Sequence, residues 1–290
     1  MKLPSVTVKQ LLEAGVHLGH KTFRWNPKMS SFIFGSKNSI HIIDLVQTLE
    51  MTNSALLEIH KCITSGGKIL FVSTKKQASE TVLKLATETD QYYVNYRWLG
   101  GMLTNWKTIQ NSIKRLKKLE EDLSKEDTGF TKKEILKLGK EKDKLKRSLG
   151  GISNMKKVPE MIFIIDTNVE DLAVKEASKL NIPIVAIVDT NSDPTGINFP
   201  IPGNDDARRA INLYCDLIKK TILDAQTHIS KTDQGDLKNE IKNEKPLKEK
   251  SLKKELKEEN SKKKDTKKTT KNFAKSILSK VKSLTSKKAK

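Results

Sequence analysis

Short apolar segments of strand length, separated by segments with helical spacing, constrain the fold of this chain more than any other feature. Met161–Ile165 and Ile184–Val188 contain only apolar residues, as is typical of parallel strands that are covered on both faces. Strands that alternate with helices favour an α/β body, in which helices flank an open parallel sheet. The predicted strands are Ile40–Ile43, Lys68–Val72, Gln91–Val94, Glu160–Ile165 and Pro183–Val188.

Capping residues mark where the intervening helices begin and end. A Thr or Asp followed three residues later by Gln has the spacing of a capping box, and a Gly just after a helical pattern has the position of a C-terminal cap. Asn204 opens a further helix with one apolar stripe. The predicted capping pairs are Thr7 with Gln10, Asp44 with Gln47 and Thr74 with Gln77, and the predicted caps at helix ends are Gly15 and Gly66.

The segment 105–149 interrupts the alternation, because it has no strand pattern and contains two helical patterns separated by Asp127-Thr128-Gly129. Both apolar stripes are narrow and flanked by charged residues, as in coiled coils. We predict an antiparallel helical hairpin inserted into the body and separable from it; a helix pair lying flat on the body is the alternative. The stripes are Trp106, Ile109, Ile113, Leu116 and Leu123, then Ile135, Leu138, Leu145 and Leu149.

Composition changes abruptly near residue 230. Residues 231–290 hold 21 Lys against nine Asp and Glu, a net charge of +12, which leaves +8 of the chain's +20 for residues 1–230. Such a segment buries too little apolar surface to offset chain entropy, so we expect a disordered basic tail. Near its end, Phe273, Ile277, Val281 and Leu284 outline a basic amphipathic helix that would order on RNA or on a protein partner, with an anionic membrane as the competing target.

The positive charge indicates a polyanionic partner, with nucleic acid favoured over a membrane surface. The two cysteines, Cys62 and Cys215, have neither a metal-ligand nor a disulfide-framework spacing. No signal-peptide pattern and no apolar run of membrane-spanning length occur, so we expect a soluble protein that works in the cytoplasm.

Motifs for catalysis are missing. Gly66-Gly67-Lys68 lacks the rest of a P-loop, and the segment from Asp189 has Pro194 where a calcium loop needs Gly. Aspartates at strand ends could still hold Mg²⁺, although a loop-capping role is favoured. Asp205 and Asp206 could act in acid–base chemistry, but we expect them in the first turn of the helix capped by Asn204. His17 with His20 lacks a third metal ligand.

Two segments combine cations with aromatic residues, as stacking on bases and contact with phosphate require. They are Lys21–Lys28 and Tyr96–Gly101. Lys75 and Lys76 open a helix, where a nearby phosphate would offset their unfavourable position, although solvated lysines are the alternative.

Longer strings resemble the bacterial-type small-subunit ribosomal protein S-two family from about residue 5 to 228. They keep the family's order along the chain, with departures at Leu18, Phe23, Ser39 and Tyr96. The strings are Gly15–His20, Arg24–Met29, Phe32–Gly35, Ile40–Leu45, Arg97–Trp106, Leu149–Ile152, Ile187–Pro194 and Ile201–Ala207.

This resemblance implies a flavodoxin-like parallel sheet flanked by helices, with an inserted coiled-coil hairpin, and a structural role in the ribosome without a cofactor. It also implies a position on the solvent side of the small subunit, between head and body, in contact with rRNA and neighbouring proteins. Ribosomal protein S-one would dock with its help. The candidate RNA-binding residues are Arg24, Trp25, Asn26, Lys28, Lys75, Lys76, Arg97, Trp98, Asn105 and Lys107.

These inferences divide the chain into an α/β body (1–104 and 150–230), an inserted hairpin (105–149) and a Lys-rich tail (231–290). One alternative is a metal-dependent enzyme on a flavodoxin-like fold, with Asp189, Asp193 and Asp205 around the ion. A scaffold that acts outside the ribosome is the other.

Overall fold

A five-stranded parallel sheet forms the centre of the fold in the computed structural model, which describes residues 4–124 and 131–228. In strand order β5-β4-β6-β7-β8, the second strand of the sheet along the chain lies at one edge, the order found in flavodoxin-like folds. The strands are β4 (Ile69–Val72), β5 (Tyr92–Val94), β6 (Met161–Ile165), β7 (Ile184–Val188) and β8 (Phe199–Pro202).

Helices cover both faces of this sheet because its strands are apolar on both sides. Phe71 and Phe163 pack with one helix layer, while their neighbours Leu70 and Ile162 pack with the other. The first layer contains α1 (Val8–Ala14), α2 (Leu45–Thr64), α3 (Lys76–Glu88) and α7 (208–228). The second contains α6 (Asp171–Lys179) and the body-proximal ends of α4 (Trp106–Ser124) and α5 (Lys132–Leu149).

Four of the five predicted strands lie in this sheet, each beginning one residue later than expected. Ile40–Ile43 is also a strand, but the expectation that it joins the parallel sheet is wrong. It is β3, the central strand of a separate antiparallel sheet between β1 (Leu18–Lys21) and β2 (Ile33–Lys37). The strands β1, β2 and β8 were not predicted, because all three are short and interrupted by Gly, polar residues or Pro.

Two prolines lie on β8, an edge strand of the parallel sheet. Gly203 N donates to Val188 O of β7. Since backbone groups along a strand point alternately to either side, the backbone nitrogens of Pro200 and Pro202 point away from β7, toward the open edge of the sheet. At this outer side the Thr48 hydroxyl of α2 donates to Pro202 O at 2.7 Å. Proline is tolerated here because no partner strand needs its missing N–H.

The predicted helix starts are only partly right. Thr7 and Gln10 form a reciprocal capping box, and Gly15 ends α1 with a left-handed conformation. Asp44 caps α2, but the Gln47 side chain donates to the Asp44 carboxylate instead of accepting from the Asp44 backbone N–H, which donates to Phe32 O. The capping box predicted for Thr74 is wrong, since α3 begins at Lys76 and Thr74 N donates to Glu170 Oε1.

The segment 105–149 forms α4 and α5, with no strand in its described residues. Arg115 pairs with Glu141 at 3.1 Å, and Lys146 lies 4.0 Å from Glu120, so the two helices contact each other. Ile113 and Leu149 belong to the same apolar cluster as the sheet, whereas Leu136 is 68% exposed. The body-proximal part of the helix pair is therefore part of the body's core. Residues 125–130 and the predicted tail, 231–290, lie outside the described residues.

Candidate nucleic-acid interface

The first cation–aromatic segment lies on the surface next to the loop that follows β7. Two short 3-10 helices, Thr22–Arg24 and Pro27–Phe32, carry it. Asn26 N donates to Thr190 O at 2.8 Å, and His20 N donates to Thr190 Oγ1 at 2.9 Å. These bonds hold the segment in one position on the body.

Gly19 allows this close approach. A side-chain carbon at that position would lie 2.6 Å from Thr190 Cγ2, which is closer than van der Waals contact permits. The absence of a side chain at Gly19 therefore lets β1 pack against the loop after β7. This packing also fixes the position of the residues that follow β1.

Four predicted RNA-binding residues lie in this segment, with different degrees of availability. Arg24 is exposed, with its guanidinium carbon 5.4 Å from the centroid of the Phe23 ring, and Trp25 packs on His41 with 39% of its surface exposed. Asn26 is half-buried, and its side chain accepts from Lys28 N. Lys28 Nζ donates to Asp193 at 2.6 Å and lowers the pKa of that carboxyl to about 2, so its charge is partly neutralised.

The second cation–aromatic segment divides between surface and core. Arg97 and Tyr96 are exposed. Trp98 is only 6% exposed, and its Nε1 donates to Glu176 Oε1 at 3.1 Å. Its ring is thus unavailable for stacking on a base, contrary to its inclusion among the candidate residues.

Glu176 of α6 fixes the loop that carries Arg97. Its carboxylate also accepts from the backbone N–H groups of Gly101, Leu103 and Thr104, at 2.8 to 3.2 Å. Burial raises the pKa of this carboxyl, but these hydrogen bonds outweigh it and leave the pKa below its usual value. Glu176 was not among the predicted residues, since a single glutamate on an amphipathic helix forms no recognisable motif.

Asn105 and Lys107 follow this loop at the start of α4, and both are exposed. The Asn105 carbonyl accepts from Thr108 N and Ile109 N, and its side-chain oxygen accepts from the Thr108 hydroxyl. Asn105 therefore caps α4, which gives it a structural role whether or not it also contacts RNA.

Lys75 lies apart from the exposed cations, in an ionic cluster at the carboxyl ends of the parallel strands. Its Nζ lies 2.8 Å from Asp166 Oδ2, 2.8 Å from Asp205 Oδ1 and 2.7 Å from Asp206 Oδ1. Burial lowers the pKa of the ammonium, but the carboxylates outweigh it and raise the pKa above its usual value. The charge is thus compensated inside the protein, whereas the neighbouring Lys76 is exposed.

His20 extends the cluster, with Nδ1 at 3.1 Å from Asp189 Oδ2 and Nε2 at 3.4 Å from Asp206 Oδ2. The hydrogen bond to Asp189 raises the pKa of His20, and burial opposes it. Asp205 and Asp206 precede α7, which begins at residue 208, so the expectation that they lie in its first turn is wrong. Asn204 instead caps the preceding turn by accepting from Asp206 N and Ala207 N.

This cluster occupies the position where flavodoxin-like proteins bind ligands, at the reversal of strand order between β4 and β6. Lys75 follows β4 and Asp166 follows β6, so the chain fills the crevice with its own ion pairs. The position of Asp166, directly after the buried run Met161–Ile165, is a signal from which the sequence could have revealed this cluster.

The alternative of a metal-dependent enzyme is not supported by this geometry. Asp193 binds Lys28, and Asp205 binds Lys75, so two of the three proposed metal ligands already have cationic partners.

None of the helices in the described ranges is long and apolar enough to cross a membrane.

Comparison with known proteins agrees with the resemblance in the sequence. Residues 11–225 match the family model described as Ribosomal protein S2. The chain is 57% identical over 224 residues to small ribosomal subunit protein uS2 of Parvibaculum lavamentivorans, covering 77% of this chain and 88% of the relative. It is 58% identical to that of Sinorhizobium medicae with the same coverage, and 60% identical over 225 residues to that of Azorhizobium caulinodans, covering 77% and 68%.

These matches span nearly the whole described body and far exceed what a shared fold alone requires. The expectation of a non-enzymatic, structural ribosomal protein is confirmed, and the alternative of a metal-dependent enzyme is wrong. The chain belongs to the ribosomal protein S2 family, a family of structural proteins of the ribosome.

Proposed function

We propose that this protein is a structural constituent of the small ribosomal subunit that binds small-subunit rRNA with its exposed cation–aromatic segments. The observation that carries the proposal is that Arg24 and Arg97 are both exposed on loops held by internal hydrogen bonds. Binding therefore costs little ordering of the backbone. The residues that face RNA in this proposal are Arg24, Trp25, Asn26, Lys28, Lys76, Arg97, Asn105 and Lys107.

Lys75 and Trp98 are left out of this set. The Lys75 ammonium is compensated by three carboxylates, and the Trp98 ring is in the core. Their effect on RNA binding is indirect, because each holds a neighbouring segment in place.

Family membership supports the proposed position on the solvent side of the small subunit, between head and body, within cytoplasmic ribosomes. Neighbouring small-subunit proteins contact the chain there, and ribosomal protein S-one docks with its help. Small subunits assembled without this chain should then retain less S-one after sedimentation. Equal retention would contradict the docking role but not the rRNA contact.

Incorporation in competition with the wild-type chain tests the RNA contacts. An Arg binds phosphate with two parallel N–H groups and stacks on bases, whereas a Lys offers only a point charge. We expect Arg97→Ala and Arg24→Ala to lower the share of variant in purified small subunits several-fold. Lys179→Ala, at an exposed site on α6, is the matched control and should incorporate like wild type. Equal incorporation of all three variants would refute the assignment.

The division into body (1–104 and 150–230), inserted hairpin (105–149) and Lys-rich tail (231–290) belongs to the same proposal. The contacts of α4 with α5 support the hairpin, and the change in composition at residue 230 supports the tail. Limited proteolysis should cut first near residues 125–130 and beyond 230.

A further inference from the structure

A single carboxylate connects the whole loop between Trp98 and Thr104 to the body. Among the described residues, the Glu176 side chain on α6 accepts five hydrogen bonds, two on Oε1 and three on Oε2. The donors are the Trp98 indole, the backbone N–H groups of Gly101, Leu103 and Thr104, and the Thr104 hydroxyl, at 2.8 to 3.2 Å. All of them belong to one short loop, so this loop depends on one side chain of a neighbouring helix.

The backbone of the loop has few other partners, because it belongs to neither a strand nor a helix. The N–H groups of Met102 and Asn105 donate to Leu99 O and Gly101 O, and the other three N–H groups of residues 101–105 donate to Glu176. Gly101 has a φ of 79°, a left-handed conformation that glycine adopts readily. Successive N–H groups that point to the same side form a concave arrangement for an anion, and here the internal carboxylate of Glu176 fills it.

Three candidate RNA-binding residues flank this loop. Arg97 precedes it, Asn105 and Lys107 follow it at the start of α4, and all three are exposed. The relative positions of these side chains therefore depend on the conformation of the loop. Contacts to phosphates at fixed spacing are favourable only when the contacting groups are held in place before binding.

Apolar packing also anchors the loop and is the competing explanation for its order. Trp98, Met102 and Leu103 are all 6% exposed or less. Their packing fixes where the loop lies, but it does not fix the orientation of each peptide group. Removal of the Glu176 carboxylate would leave three backbone N–H groups and the Trp98 indole N–H without their acceptor.

We propose that Glu176 is a positioning residue for RNA recognition, which holds Arg97, Asn105 and Lys107 together as one preorganised phosphate-binding element. The proposal rests on the RNA-binding function proposed above and adds to it the residue that prepares the second segment for binding. Glu176 itself does not contact RNA. Without its carboxylate the loop has to be ordered when RNA binds, and this ordering lowers the affinity.

Binding of small-subunit rRNA by the full-length chain tests the proposal. Glu176→Gln keeps the size of the side chain but turns an amide N–H toward the donors of the loop, so we expect it to weaken binding about tenfold. Glu160→Gln is the matched control and should bind like wild type. The Glu160 carboxylate is also half-buried and accepts from Lys68 N at 2.9 Å, but it lies at the opposite, amino end of the parallel strands.

A double-mutant cycle separates positioning from a general loss of stability. Arg97→Ala should weaken binding several-fold in the wild-type background but less than about twofold in Glu176→Gln, because a loop that is no longer held presents Arg97 poorly. Arg24→Ala lies on the other cation–aromatic segment and should weaken binding by the same factor in both backgrounds.

Acetate provides an independent readout. In Glu176→Ala, acetate should occupy the place of the missing carboxylate and restore part of the rRNA affinity, whereas chloride at equal ionic strength should not. The indole N–H resonance of Trp98 should move in Glu176→Ala and return toward its wild-type position with acetate. Glu176→Asp keeps the charge on a shorter side chain, so it should fold and bind with intermediate affinity even if Glu176→Gln does not fold.

Equal effects of Arg97→Ala in the two backgrounds would overturn the positioning role and leave the RNA contact of Arg97 intact. Unchanged or tighter rRNA binding by Glu176→Gln would overturn it as well. If neither Arg97→Ala nor Arg24→Ala weakens binding in the wild-type background, the proposed RNA contacts themselves are wrong, and the positioning role falls with them.

Discussion

Lys75 offers a single ammonium to three carboxylates, two of them buried, at the carboxyl end of the parallel sheet. A buried charge that loses its partner is costly, because the remaining carboxylates are neither solvated nor paired. The ammonium of Lys75 is therefore a structural element of the body.

Lys75→Met should lower the free energy of unfolding by about 3–5 kcal/mol, since Asp166 and Asp205 would stay buried without a counter-charge. Urea denaturation followed by circular dichroism measures the change. Lys76→Met, at the exposed next position, is the control and should change stability by less than about 0.5 kcal/mol. Similar losses in the two variants would show that the ion pairs contribute little.

His20 should titrate with a pKa above 6.5, because the Asp189 carboxylate stabilises its protonated ring. A raised pKa in the folded state means that the contribution of His20 to stability is complete below pH 6.5 and is lost as pH rises through the folded-state pKa. NMR titration of the histidine ring protons measures this pKa directly.

Asp189→Asn should lower the pKa of His20, whereas Asp193→Asn, which removes a partner of Lys28 instead, should not. A His20 pKa at or below 6.5 in the wild-type chain would contradict the ion pair.

At the scale of secondary-structure elements, α4 and α5 join the body through their near ends. Ile109, Ile113 and Leu149 are buried in the cluster that covers one face of the sheet. We therefore restrict the prediction that 105–149 is separable from the body. Only the part of the two helices that lies away from the sheet should be removable without loss of the fold.

Replacing residues 121–141 with a short Gly/Ser linker should leave the unfolding transition cooperative and its midpoint nearly unchanged. Replacing 105–149 should instead lower the midpoint strongly, because it removes the buried side chains of Ile109, Ile113 and Leu149. Large-to-small changes at such buried sites each lower the free energy of unfolding by about 2–5 kcal/mol. Calorimetry of the two variants makes the comparison. Equal midpoints would mean that the near ends do not contribute to the core.

The sequence predicted the elements that have strong local patterns. The apolar strands Met161–Ile165 and Ile184–Val188 carry their own signal, and so does the stripe of α4. The strand β8 was missed because its prolines argue against a strand unless the strand is known to lie at an edge.

Side-chain partners were harder to predict than elements. Trp98 and Lys75 have the residue types that bind RNA, but their burial depends on Glu176 and Asp166, each more than 70 residues away along the chain. Local sequence patterns contain no information about such long-range contacts. The composition of a segment therefore marked its exposed and its buried residues alike as RNA-binding candidates.

For the whole molecule, the distribution of charge predicts how binding depends on salt. Residues 231–290 hold +12 of the net charge of +20. The logarithm of affinity falls linearly with the logarithm of salt concentration, and each phosphate contact that is lost makes this fall shallower by about 0.7–0.9. A chain ending at residue 230 should thus bind RNA with a clearly shallower slope and keep its preference for small-subunit rRNA.

Filter binding at several salt concentrations measures the slopes, with a Gly/Ser tail of equal length as the control for chain length. Unchanged slopes would exclude the tail from RNA contact. Binding of the isolated 271–290 peptide to anionic vesicles but not to RNA would favour a membrane target.

The prolines of β8 have a consequence for the time between synthesis and assembly. An open sheet edge is a template on which a second chain can add a strand, and this is a common start of aggregation. At this edge Pro200 and Pro202 present no N–H, and Thr48 occupies the carbonyl of Pro202. At the opposite edge, Gly151 packs so closely on β5 that a side-chain carbon there would lie 2.1 Å from Tyr93 O. With both margins of the parallel sheet obstructed, newly made copies should be able to await assembly without adding strands to one another through this sheet.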